Sequence, residues 1–158
     1  MEAKKGLPIM YSHILIATDG SELAQKGVDH GLSLAKQLGG KVTILSVGDT
    51  LASYAFGGEF ATAAAVAGFH DYRQKQEEAA TAMLDGIKAA AAKMGVPADT
   101  VYVEDAQPAE AIVEVARERD CALIVMASHG RRGLGRLFLG SQTIEVLTNS
   151  AIPVLVVR

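Results

Sequence analysis

Apolar residues along the chain follow two rhythms that take turns. Runs such as His13-Ile14-Leu15-Ile16-Ala17-Thr18 and Lys41-Val42-Thr43-Ile44-Leu45-Ser46-Val47 are apolar or β-branched at nearly every position. That is the pattern of strands buried on both faces. Thr100-Val101-Tyr102-Val103-Glu104 alternates, Cys121–Met126 is apolar, and Pro153-Val154-Leu155-Val156-Val157 closes the chain in the same manner. Between these runs the apolar positions step by three and four, which predicts helices. Ala24, Val28, Ala35 and Leu38 form one stripe, and Phe69, Tyr72, Gln76, Ala80, Met83, Ile87, Ala90 and Met94 a longer one. Further helices are expected over Ala109 to Arg119 and after Gly140.

End signals agree with this division. Ser21 is placed to cap the first helix, with Glu22 in its first turn, and Gly39-Gly40 stops it. Gly95 and Pro97 stop the second helix, Pro108 suits the first turn of the third, and Ser141 reads as the N-cap of the fourth. The order βαβαβαβαβ predicts an α/β fold: a parallel sheet with helices on both faces, joined by right-handed crossovers. In such sheets ligands sit beyond the carboxyl ends of the strands, where the strand order reverses. Thr18-Asp19-Gly20, Val47-Gly48 and Ala127–Gly130 all stand at strand ends and should meet in one crevice. Gly48 to Gly68, with Tyr54, Phe56 and Phe60, is a long connection of the kind that serves as a lid or holds a short helix. Met1–Met10 is read as a loose polar leader.

The 158 residues, 49% apolar and 21% charged, fit one globular domain, 1–158. A net charge of -3, few aromatics and no Trp speak against broad nucleic-acid binding. Cys121 is the only cysteine, which excludes an intrachain disulfide, and it is expected to be a buried structural thiol. No signal peptide or membrane-length apolar run is visible, so a cytoplasmic protein is expected.

One stretch carries chemistry. The apolar strand ending Met126-Ala127 runs into Ser128-His129-Gly130, a glycine-rich loop with Arg131, Arg132 and Arg136, and then Gly140-Ser141 opens a helix. A glycine loop turns backbone N–H groups toward one point, and a helix start adds unpaired donors and partial positive charge, so the stretch is suited to phosphate. Two familiar versions do not fit. Gly135 to Gly140 has the Walker A spacing, but Ser141-Gln142 stand where Lys-Ser/Thr should. Gly130, Gly133 and Gly135 run as Gly-x-x-Gly-x-Gly, not Gly-x-Gly-x-x-Gly. Ser128-His129 beside Asp19 has the makings of a hydrolytic triad but lacks the Gly-x-Ser-x-Gly elbow, and His129 is read as a loop residue shaping the site. His13, His30 and His70 have no metal-ligand spacing and are expected on the surface or on helix faces.

Ala127-Ser128-His129-Gly130, nine residues, then Gly140-Ser141 resembles the ATP-binding signature of universal stress proteins: Gly-x-x-Gly, nine residues, Gly-Ser/Thr. Ala127 stands where the signature has its first glycine. The strand ending Ala17-Thr18-Asp19-Gly20-Ser21 and the ending Ile152 to Val157 fit as well, so the resemblance covers nearly the whole chain. It implies a five-stranded sheet in the order 3-2-1-4-5 and a homodimer through Pro153–Val157. It implies ATP as ligand, with or without Mg2+, and ADP or AMP as alternatives. Adenine and ribose would lie near Asp19, Val47 and Met126, and the phosphates on Gly130, Gly140, Ser141 and Gln142. With Ala17, Thr18, Ala127, His129, Arg131 and Arg132 these make the candidate nucleotide-binding set. The leading expectation is a dimeric, ATP-binding stress-response regulator that acts by changing its contacts with a protein partner. Without a Walker lysine or a positioned base any hydrolysis should be slow. The alternatives are a weak ATPase or autophosphorylating protein with Ser141 as acceptor, and an interaction module that has lost nucleotide binding.

Overall fold

The computed structural model describes residues 10–50, 63–130 and 139–158. Residues 1–9 of the leader, 51–62 of the long connection, and 131–138 lie outside the described residues, and with the last go Arg131, Arg132, Gly133, Gly135 and Arg136. The described elements are β1 (His13–Ala17), α1 (Glu22–Leu38), β2 (Lys41–Val47), α2 (Ala63–Lys93), β3 (Ala98–Val103), α3 (Pro108–Glu118), β4 (Leu123–Ala127), α4 (Ser141–Asn149) and β5 (Val154–Val157). All four strand pairings are parallel, and the sheet order is 3-2-1-4-5. The chain lays β2 and β3 on one side of β1, then crosses back to place β4 on the other. The order therefore reverses between β1 and β4, and the carboxyl ends of those two strands frame the crevice.

Strand alternation divides the core in two. Ile14, Ile16, Val42, Ile44, Leu123 and Val125 pack with Val28 and Leu32 of α1 and Leu84 and Ile87 of α2. Leu15, Leu45, Ile124 and Met126 face the other way, onto Ala109, Ile112 and Val115 of α3 and Val146 of α4. Both layers exclude water from the central strands, which is why their sequences read as continuous apolar runs.

Caps hold much as expected. Ser21 Oγ accepts from the Ala24 N–H at 3.2 Å, and Gly39 ends α1 in the left-handed conformation at φ 66°. Three expectations change. α2 starts at Ala63, ahead of the first stripe residue, because alanine-rich sequence holds helix without showing an apolar face. α4 takes Gly140 as its N-cap and Ser141 as its first helical residue, because the Gly140 N–H is anchored to Ser128 O at 2.8 Å and the Gly140 carbonyl already accepts from Ile144. His13 is neither on the surface nor on a helix: it is buried at the head of β1, where its ring meets Thr43 Oγ1 at 2.9 Å. Among the described residues no helix is long and apolar enough to cross a membrane.

Candidate functional site

β1 delivers Asp19 to the crevice in a fixed pose. The Thr18 N–H donates to Leu45 O at 2.9 Å, carrying the β1–β2 ladder one residue past the strand. The chain then turns at Gly20, φ 75°. Thr18 Oγ1 accepts from the Gly20 N–H at 3.2 Å, and Asp19 Oδ1 accepts from the Ser21 N–H at 2.9 Å, the local turn that aspartate favours.

β4 delivers the start of α4 to the same place. The Ser128 N–H donates to Val157 O at 2.8 Å, and Thr143 Oγ1 donates to Ala127 O and Ser128 O at 3.2 and 3.0 Å. With the Gly140–Ser128 bond these stitch the first turn of α4 onto the end of β4. The stitching is tight: a Cβ on Gly140 would stand 3.1 Å from both Cα and Cβ of His129. Gly140 has φ -64°, so the position needs glycine for close approach and not for a left-handed backbone. A Cβ on Gly130 would stand 2.7 Å from Asp19 Oδ2, which puts the ends of β1 and β4 in direct contact.

The first i→i−4 bond of α4 runs from Ile144 to Gly140, so the N–H groups of Ser141, Gln142 and Thr143 have no intrahelical acceptor. Together with the helix dipole they make the mouth of the crevice attractive to an anion. Ser141 is exposed there. The Gln142 side chain is turned elsewhere. Its Oε1 accepts from the Ala109 N–H at 2.9 Å and caps α3, whose own N-cap Gln107 makes no side-chain bond. The Gln142 backbone N–H remains among the three donors that the helix does not use.

The apolar wall of the site is an outcrop of the core. Met126 is buried in the α3–α4 layer, and Ala17 and Val47, both half-buried, pack against that layer. Ala127 follows Met126 in the strand, so its methyl points to the opposite face, toward α1. Ala127 is not among the described residues with positive φ, so the alanine there carries no backbone strain. Ser128 is buried, with Oγ 3.2 Å from His129 Nδ1.

Two clusters escaped the sequence. Beyond β2, Asp49 Oδ2 accepts from Tyr72 Oη at 2.7 Å and Gln76 Nε2 at 2.9 Å, while the Asp49 N–H donates to Gln76 Oε1 at 3.1 Å. Gly48 makes room for this, since a Cβ there would strike Tyr102 Oη at 2.3 Å. Burial, then the Glu104 charge, pushes the Tyr102 phenol above its ordinary range. The available signal was Tyr72 and Gln76 standing one turn apart as polar members of an apolar stripe. At the amino end of the sheet, desolvation and then Lys41 lower the pKa of His13, while burial raises the Cys121 thiol to about 11. A shallow groove between α3 and α4, lined by Ala109, Glu110, Val113, Glu114, Arg117 and Asn149, lies outside the crevice.

The fold and crevice define a class: doubly wound α/β proteins with a helix N-terminus set at the switch point of the sheet. The family follows from comparison. The model of the universal stress protein family matches residues 10–158, and the chain belongs to that family. Universal stress protein YxiE of Bacillus subtilis is 31% identical over 157 residues, covering 94% of this chain and all of YxiE. The solved structure of MJ0577 from Methanocaldococcus jannaschii is 30% identical with a TM-score of 0.75, covering 94% of this chain and 96% of that one. Two more distant structures share the fold: a universal stress protein in complex with cAMP (23% identity, TM-score 0.63, covering 94% and 97%) and one from Archaeoglobus fulgidus in complex with dAMP (18%, 0.66, 94% and 99%).

Proposed function

We propose that the chain binds an adenine nucleotide, ATP in the first place, across the carboxyl ends of β1 and β4, and acts as a cytoplasmic, dimeric regulator of a stress response. The observation that carries the reading is the stitched start of α4: three backbone donors held at the strand-order reversal, beside a fixed aspartate and an apolar wall. The family complexes with cAMP and dAMP support an adenine nucleotide as the ligand class. The base lies against Ala17, Val47 and Met126, Asp19 accepts from the nucleoside, and the phosphates run toward Ser141–Thr143; Arg131 and Arg132, outside the described residues, belong to the candidate set on the sequence alone. Among the described residues no group of three His, Cys, Asp or Glu side chains could hold a metal. The dimer reading draws on an apolar edge: Leu155 of β5 and Ile144 and Leu147 of α4 are 38%, 51% and 43% exposed. Calorimetry with ATP, ADP and AMP, with mass spectrometry of any ligand that co-purifies, tests the binding reading. Saturable binding of ATP is expected, and no binding of any of the three returns the chain to the interaction-module reading. The enzymatic alternative draws on the exposed Ser141 hydroxyl at the helix start. A long incubation with γ-labelled ATP separates it, since label retained on the protein or released as phosphate would favour catalysis.

A further inference from the structure

We propose that Gly130 is a positioning residue for Asp19, so that the glycine signature after β4 serves two ends of the ligand: Gly130 the nucleoside end and Gly140 the phosphate end. The inference rests on the nucleotide reading above for its ligand but not for its geometry.

The two glycines are glycine for different reasons. At Gly140 an added Cβ would meet the His129 backbone, so a side chain there pushes the start of α4 away from β4. At Gly130 an added Cβ would meet one atom within 3 Å, Asp19 Oδ2 at 2.7 Å. Neither position is in the left-handed region, so backbone freedom explains neither. A carboxylate oxygen at the end of a side chain can usually swing away at little cost. Here the other oxygen is held by the Ser21 N–H at 2.9 Å, and Ser21 in turn caps α1 through its hydroxyl. Rotating Asp19 to clear a methyl at Gly130 would break or lengthen that bond and change the direction of the acceptor a ribose hydroxyl or adenine amino group would meet. Gly130 thus acts on the ligand through Asp19, by leaving empty the volume its carboxylate occupies.

The test is a double-mutant cycle with ligands of different length. Gly130→Ala is expected to weaken adenosine, AMP and ATP by the same factor, about fivefold, because the bond it disturbs lies at the end all three share. In an Asp19→Ala background the same change should have no further effect on any of them. A ligand-free readout accompanies it: the Ser21 amide resonance should shift in Gly130→Ala, and Gly130→Ala should lower Tm in the parent but cause no further fall in the Asp19→Ala background. A loss that grows with phosphate number, or penalties of the two substitutions that multiply, would overturn the proposal, as would an unmoved Ser21 amide. If the parent protein binds none of the three ligands, the nucleotide reading fails instead, and the Ser21 amide and the Tm cycle still decide whether Gly130 positions Asp19.

Discussion

The two ends of the sheet carry the same kinds of residue and put them to opposite use. At the amino end His13, Thr43 and Cys121 are buried, the imidazole is bonded to the threonine hydroxyl, and the thiol is held protonated to about pH 11. At the carboxyl end Asp19, His129 and Ser141 are reachable, and the start of α4 presents backbone donors that its own helix does not use. A histidine, a hydroxyl and a nucleophile gathered in one place therefore say little by themselves. The direction of the strands decides which end opens: at the carboxyl ends the chain leaves for helices on both faces and the layers part between β1 and β4. At the amino ends the same strands are closed in by the chain entering them.

The largest effect expected on this contrast comes from Gly140→Val at the open end. A branched side chain against the His129 backbone moves the donors of α4, and ATP affinity should fall on the order of a hundredfold, ~2.7 kcal/mol, with AMP losing less. Calorimetry on the folded variant reads it; equal losses for ATP and AMP would place the phosphates elsewhere. Asp19→Ala should cost about 1.5–3 kcal/mol of binding for ATP, ADP and AMP alike, as for a hydrogen bond to a charged group. A fall in Tm with affinity intact would reduce Asp19 to a turn residue. Gln142→Ala should leave ATP affinity near that of the parent while lowering stability by about 1 kcal/mol, because it uncaps α3 and keeps the backbone N–H. A denaturant titration and a binding isotherm on the same sample separate the two.

The closed end supplies the smallest effect. Burial lowers the pKa of His13 below its ordinary 6.5, so the unfolded chain takes up a proton more readily than the folded one. The stability contributed by keeping it neutral is present above 6.5 and is lost as pH falls from there toward the depressed folded value. Tm should drop between pH 7 and 5, and drop less in His13→Gln. An identical pH slope in both proteins would remove His13 from the account.

Much of this was legible beforehand, and what was not has physical causes. The alternation of strands and helices, the meeting of strand ends and the roles of Ser21 and Gly39 follow from apolar runs and caps, which are local signals, whereas the order 3-2-1-4-5 comes from the family resemblance, because no local pattern says which strands pair. The N-cap of α4 was misplaced by one residue because Ser141 has the better side chain for the task, while Gly140 has a tertiary bond to Ser128 that no local pattern shows. The signature points to Gln142 through its place at the helix start, and says nothing of its side chain. That side chain caps α3, 33 positions away in the chain, a partner that only the packing of α3 on α4 reveals. His13 shows the limit from the other side: a polar residue at the edge of an apolar run reads as exposed until β2 supplies Thr43 as its partner.

The central claim is that a nucleotide occupies the carboxyl end and leaves the amino end untouched. Titrating ATP into the labelled protein and following backbone amide resonances tests both halves at once. The account predicts that Ser21, Gly130, Ser141, Gln142 and Thr143 shift together with one saturation curve, while His13, Thr43 and Cys121 stay in place. Shifts gathered at the amino end or along the α3–α4 groove, with the amides of Ser141 to Thr143 unmoved, would contradict it.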